Sequence, residues 1–149
     1  MPNGTAAYKF RHRLASLVVL AIGLMSLPAL AADLEVTVTQ IRSDQGQVML
    51  ALTNNAEDFT ARRWLVGLTQ PAKPGSIRFV LPDLAAGDYA ISVIHDENSN
   101  GKLDSNFLGV PTEGYGFSNN ARGNFGPPEF AAARFGLPAT SRLTIELGY

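Results

Sequence analysis

Residues 87–104 read GDYAISVIHDENSNGKLD, and the change of pattern partway along this stretch decides the fold. Tyr89, Ile91 and Val93 recur at every second position, which is the period of a half-buried strand and not of a helix. The same parity carries His95 to the end of the buried face. At Asp96 the apolar period stops, and Asp96, Asn98 and Asn100 take alternate positions before Gly101 and Asp104. That is the spacing of a calcium loop, in which side-chain oxygens one, three and five converge and a glycine permits the sharp turn. A strand therefore runs straight into a polar loop at the edge of a sheet.

Four further segments share the strand period. Leu34, Val36 and Val38 alternate with Glu35, Thr37 and Thr39, and Val48, Leu50 and Leu52 form a second set. Ile77, Phe79 and Leu81 make a third, and Leu143, Ile145 and Leu147 the last. Asp44-Gln45-Gly46 reads as a hairpin turn between the first two strands, and Leu81-Pro82-Asp83 with Gly87-Asp88 as the turn before Tyr89. Strands joined by short turns, with little helical periodicity, predict an all-β chain folded as an antiparallel β-sandwich. Its core is expected to hold Val36, Val38, Leu50, Phe79, Ile91, Val93, Leu143 and Ile145, with Tyr149 closing the sandwich.

Two stretches break the pattern. Residues 54–75 fit either a short helix or an irregular strand. Residues 105–140 form one long loop rich in Gly, Asn and Pro, carrying Phe107, Tyr115, Phe117, Phe125, Phe130 and Phe135. Six aromatics supply apolar area to pin such a loop to a core. Within it, Pro127-Pro128-Glu129 starts a short helix over Phe130–Phe135.

The first 31 residues read as an address. Lys9, Arg11 and Arg13 form a positive region, residues 14–27 an apolar one, and Ala29-Leu30-Ala31 a cleavage site. The apolar stretch is shorter than the roughly 18 residues of a spanning helix. Cleavage after Ala31 leaves a single domain, residues 32–149, periplasmic or secreted and without a membrane span. It removes three of the twelve Lys and Arg and none of the thirteen Asp and Glu, so the mature net charge is −4. A mildly acidic domain without a basic stripe is a poor partner for nucleic acid or anionic lipid. With no cysteine there is no disulfide, no thiolate metal site and no lipid-modified cysteine after the signal.

Several blocks carry a resemblance: Phe79-Val80-Leu81-Pro82-Asp83-Leu84, Gly87-Asp88-Tyr89-Ala90-Ile91, the His95–Asp104 run, Asn106-Phe107-Leu108-Gly109, residues 113–120 and Gly126-Pro127-Pro128. Together they resemble the bacterial family called domain of unknown function 2141, across essentially the whole mature chain. The resemblance implies an exported single-domain protein and carries no established activity. More loosely, the Leu-Pro-x-Leu and Gly-x-Tyr turn leading into an Asp/Asn-rich loop is similar to prealbumin-like and collagen-adhesin-B-like sandwich modules, a likeness of fold alone.

Candidate sites follow from the residue types. In the calcium reading Asp96, Asn98, Asn100 and Asp104 give side-chain oxygens and Lys102 a backbone carbonyl. The twelfth position, a bidentate Glu in the helix–loop–helix pattern, is Phe107, so Glu97 or Glu113 would have to complete the shell. A polar turn is the competing reading of the same residues. His95, the one histidine of the mature chain, is a catalytic candidate with Ser92, Ser99 and Ser118 nearby, or a histidine bonded to a backbone carbonyl at the sheet edge. Glu113, Tyr115, Phe117, Asn119 and Asn120 offer an aromatic platform for a carbohydrate or peptide, or a loop packed on itself.

Three functions are compatible with these residues. One is a non-catalytic exported module that binds a ligand or envelope partner, with calcium held in the Asp/Asn loop. A small hydrolase using His95 with nearby carboxylates is another; prealbumin-like ureide hydrolases end in Tyr-Arg-Gly-Ser, whereas this sequence reads Glu146-Leu147-Gly148-Tyr149. The third is a structural cell-envelope protein.

Overall fold

The computed structural model describes residues 31–149; the expected signal segment, Ala31 apart, lies outside the described residues. In chain order the elements are β1 (Ala32–Ile41), β2 (Gln47–Thr53), α1 (Ala56–Ala61), β3 (Val66–Pro71), β4 (Gly75–Leu84), β5 (Gly87–Asp96), β6 (Gly114–Phe117), α2 (Phe130–Ala133), β7 (Phe135–Leu137) and β8 (Arg142–Glu146). A 3-10 turn over Ser118–Asn120 follows β6.

The strands form two sheets, a small one in the order β4-β1-β8 and a larger one in the order β3-β2-β5-β6, with β7 beside the start of β5. The expected sandwich is present. Val36, Val38, Phe79 and Ile145 from the small sheet meet Leu50, Ile91 and Val93 from the large one, each at most 1% exposed. Leu143 packs against this core from a partly buried position.

The expected hairpin turn at Asp44–Gly46 and the turn before Tyr89 are both arches between the sheets. β1 pairs with β4 and β8, β2 with β3 and β5, so the Asp44–Gly46 turn carries the chain from one sheet to the other. β4 and β5 likewise lie in different sheets; β4 runs on through Leu81-Pro82-Asp83, and Ala85-Ala86 makes the crossing. Alternation fixes which face of a strand is buried and leaves its neighbour open, so turn chemistry alone cannot separate a hairpin from an arch. Pro82 is accommodated because β4 is an edge strand. Opposite Asp33 the β1–β4 register slips by one residue at Asp83, which sits at φ 55° with its N–H donating to the Asp33 carboxylate at 3.1 Å.

All ladders but one are antiparallel. β1 and β8 run parallel, Val36 opposite Leu143 and Val38 opposite Ile145. A parallel neighbour needs a long crossover, and β8 arrives only after the excursion from β5 through β6, α2 and β7.

Both undecided stretches contain regular structure. Residues 54–75 hold a helix and a strand: Asn55 caps α1 by accepting the Asp58 N–H at 2.8 Å, Arg62 ends it at φ 55°, and β3 then pairs with β2. The long loop contains two strands as well as the expected helix. Proline and Glu129 do open α2, but Phe135 leaves it for β7. Phe59 of α1 meets Phe117 and Phe130 edge-on, each at 5.9 Å between ring centres, so α1 and α2 share a small aromatic cluster with Phe117 of β6.

Candidate functional site

His95 and Asp96, two of the buried polar residues among those described, end β5. Gln47 and Asp96 face each other at the last pair of the β2–β5 ladder, and the Gln47 amide donates to Asp96 Oδ2 at 2.8 Å. Asp96 is fully buried, and the loop turns around it: the N–H groups of Asn100 and Gly101 donate to its two oxygens at 3.0 and 2.8 Å. Burial works to raise the Asp96 carboxyl, but the hydrogen bonds from Gln47, Gly101, Asn100 and Ser99 outweigh it and hold the group below the usual carboxylate range.

Beyond Asp96 the alternating amides organise the turn. Asn98 Oδ1 accepts the Asn100 N–H at 3.1 Å, and Asn100 Oδ1 accepts the Lys102 N–H at 2.9 Å. Their amide nitrogens point to one place, Asp104 Oδ2, at 2.6 and 2.9 Å. Four of the five expected calcium residues, Asp96, Asn98, Asn100 and Asp104, are therefore linked within one loop, and Lys102 joins through its backbone. Among the described residues no three His, Cys, Asp or Glu side chains gather as a metal-holding group, so a cation here would depend on amide and carbonyl oxygens.

Both carboxylates named to complete the shell are engaged with other partners. Glu113, only 4% exposed, accepts the N–H groups of Glu97 and Asp104, both at 2.9 Å, and so ties the two ends of the loop together. Glu97 receives the Arg42 guanidinium on both oxygens and the Ser43 hydroxyl at 2.9 Å. The bond from Arg42, joined by Ser43, holds the Glu97 carboxyl low against the effect of burial.

His95 is fully buried with both ring nitrogens engaged. The Gln45 carbonyl, 3.0 Å from Nε2, can only accept, so Nε2 carries the proton. Nδ1 then accepts from the Tyr149 hydroxyl at 2.7 Å, and that hydroxyl accepts the Arg42 N–H at 3.2 Å. Gly114 makes this possible: it lies opposite His95 on β6, and a Cβ there would come within 2.5 Å of the Tyr149 ring. Burial pushes the Tyr149 phenol above its usual value, against the opposing influence of Arg42, whose guanidinium lies 4.2 Å from the ring centre. Ser118, the buried serine among the three candidates, is committed to the Ile91 N–H at 2.9 Å and the Ala133 carbonyl at 2.5 Å. His95 is thus buried in β5 with a partner for each ring nitrogen, one of them the backbone carbonyl of Gln45.

The aromatic segment divides. Asn119 donates to the carbonyls of Ala132 and Arg134, and Asn120 accepts the Glu146 N–H at 2.9 Å, so both hold the loop to the body. Tyr115 and Phe117 remain half-buried, 6.2 Å apart and edge-on. Arg42, Ser43 and Gln47 are site residues that no motif marks; Tyr149 alone had a signal, the parity it shares with Leu147 and Ile145. Among the described residues no helix is long and apolar enough to cross a membrane.

The family model described as an uncharacterized protein conserved in bacteria, DUF2141, matches residues 36–146. No curated protein and no solved structure matches the chain. Because that span runs from within β1 to the last residue of β8 and takes in the whole Asp96–Asp104 loop, the chain belongs to the DUF2141 family of bacterial proteins.

Proposed function

We propose that this protein is an exported, non-catalytic β-sandwich module that binds calcium through the Asp96–Asp104 loop. One observation carries the reading: the side chains of Asn98 and Asn100 converge on a single Asp104 oxygen, in a loop wound around the buried Asp96 carboxylate. Calcium takes about six to eight oxygens. Asp96, Asn98, Asn100, Asp104 and the Lys102 carbonyl would supply the protein's share, and the ion would neutralise the two carboxylates. To serve it, each amide must turn its oxygen inward and give up a turn bond, and Phe107 adds nothing at the twelfth position. That cost places the site in the weak extracellular class, with Kd on the order of 10⁻⁴–10⁻³ M.

Export is supported by the start of β1 at Ala32, the residue after the expected cut. The non-catalytic part of the reading is supported by the engagement of both His95 nitrogens.

Thermal melting of the mature domain tests the proposal. An ion that binds only the folded state adds RT ln(1 + [L]/Kd), about 2.7 kcal/mol at a hundredfold excess over Kd. Calcium in that range should raise Tm, magnesium should do so less because it demands octahedral geometry and keeps its water, and Asp104→Ala should abolish the rise. Equal Tm in calcium and in chelator would leave a polar turn and a purely structural envelope role.

A further inference from the structure

Within residues 32–149 a single asparagine precedes a glycine, at Asn100-Gly101, and both residues are exposed in the loop around Asp96. Hydrogen bonds fix each part of this peptide. The Gly101 N–H donates to Asp96 Oδ2 at 2.8 Å. Asn100 Oδ1 accepts the Lys102 N–H at 2.9 Å, a bond that folds the side-chain carbonyl back toward the Gly101 peptide. Asn100 Nδ2 donates to Asp104 Oδ2 at 2.9 Å. Gly101 has no side chain to shield its nitrogen, and at φ 78° a Cβ built there would meet nothing within 4 Å.

These are the parts that an acyl transfer uses. A nucleophile needs to be held beside the carbonyl it attacks, a base needs to reach its proton, and the carbonyl oxygen needs a donor where charge develops. Here the Gly101 nitrogen, the Asp96 carboxylate and the Lys102 N–H stand in those three places around the Asn100 amide. Asn98 supplies a comparison within the same loop. Its Oδ1 likewise accepts an N–H from two residues on, that of Asn100 at 3.1 Å, but the residue after it is Ser99, which carries a side chain.

We propose that Asn100 is a site of self-catalysed modification, at which the folded loop converts the side-chain amide to a carboxylate through a cyclic imide with Gly101. The Gly101 nitrogen bonds to Asn100 Cγ, and its proton passes to Asp96 Oδ2 while the charge on Asn100 Oδ1 faces the Lys102 N–H. As that charge returns to the carbonyl, the Cγ–Nδ2 bond breaks and Nδ2 leaves as ammonia with the proton that water carries back from Asp96. Water then adds to one of the two imide carbonyls. Opening at Cγ leaves aspartate, and opening at the backbone carbonyl leaves isoaspartate; either way the Gly101 N–H is restored. Water is the only co-reactant. The product sets a carboxylate where Nδ2 donates to Asp104, so the loop loses that bond and gains a like-charge repulsion. Because the ammonia is lost, the change runs one way and marks the age of the protein.

Peptide mapping by mass spectrometry tests the proposal on the mature domain incubated in chelator, once folded in buffer and once unfolded in guanidinium chloride. Chelator keeps the outcome separate from the calcium reading above. The signal is exchange of the amide NH2 for OH at Asn100, with isoaspartate located by fragmentation. Conversion should be at least about tenfold faster in the folded domain, because unfolding disperses the base and the oxygen's donor. Asn98 should keep its amide over the same period. A folded rate equal to or below the unfolded one overturns the proposal, since order would then only protect the amide, and so does equal conversion of Asn98 and Asn100 in the folded domain. Asp96→Asn removes the base: in a folded variant the rate at Asn100 should fall to that of the unfolded chain, and an unchanged rate also overturns the assignment. If Asp96→Asn does not fold, the ratio of folded to unfolded rates in the wild type decides alone.

Discussion

Replacing Glu113 with Gln tests the most consequential contact near the loop. Glu113 is 4% exposed, and its two carboxylate oxygens each accept a backbone N–H at 2.9 Å, one from Glu97 and one from Asp104. Glutamine keeps the shape and one acceptor, but it presents an NH2 group to the other N–H, where donor faces donor. One hydrogen bond to a carboxylate is lost outright, about 1.5–3 kcal/mol, and the survivor falls to the strength of a neutral bond, so the total is roughly 2–4 kcal/mol. For a domain of roughly 120 residues each kcal/mol is about 4 °C in Tm, giving a fall of roughly 8–16 °C. Urea unfolding measures the free energy, and an unchanged m-value shows that both proteins unfold from the same state. Amide exchange adds a local readout: the N–H groups of Glu97 and Asp104 should exchange faster than those of mid-strand residues such as Ile91. If stability changes by less than about 0.5 kcal/mol and neither amide loses protection, the carboxylate is not what joins the loop ends.

Three other outcomes follow from the same geometry. Ile91→Ala, at a fully buried site between the sheets, should cost about 2–5 kcal/mol in urea unfolding; a loss under about 0.5 kcal/mol would contradict the packing. Gly46→Ala should cost at least about 1–3 kcal/mol, because Gly46 sits at φ 66° and a Cβ would come within 2.0 Å of the Asp96 carbonyl; wild-type stability would show that the arch has room. Glu97 has its folded pKa held low, so it contributes stability above the unfolded value near ~4.3 that is lost as pH falls through the folded value. The stability gap between wild type and Glu97→Gln should therefore be widest near neutrality and close in acid, whereas a gap constant from pH 7 to pH 3 would rule out that coupling.

What the sequence made legible was set by period. Val36, Leu50, Phe79 and Ile91 announce their burial through alternation, and the strands they belong to are present with a residue or two added at most ends. β6 and β7 escaped because each is short and Gly114, Gly116 and Gly136 interrupt the apolar sequence; their pairing with β5 comes from tertiary fit. In the site, the Asp96–Asp104 spacing was visible because the turn residues are local to one another. The Arg42–Glu97 pair spans 55 positions and the His95–Tyr149 bond 54, and no local pattern can bring such residues together.

The parallel pairing of β1 with β8 has a consequence for how the chain reaches this fold. The Leu147 N–H donates to the Thr39 carbonyl across 108 positions of sequence. β1 lies at the centre of its sheet, yet one neighbour, β4, begins at Gly75 and the other, β8, at Arg142. Until the late neighbour arrives, β1 keeps a bare hydrogen-bonding edge, the kind of template on which another chain can grow a ladder. Closing so long a loop before any contact rewards it also slows the search for the native state. A chain built this way keeps that edge of β1 unpaired for as long as its last strand is held back.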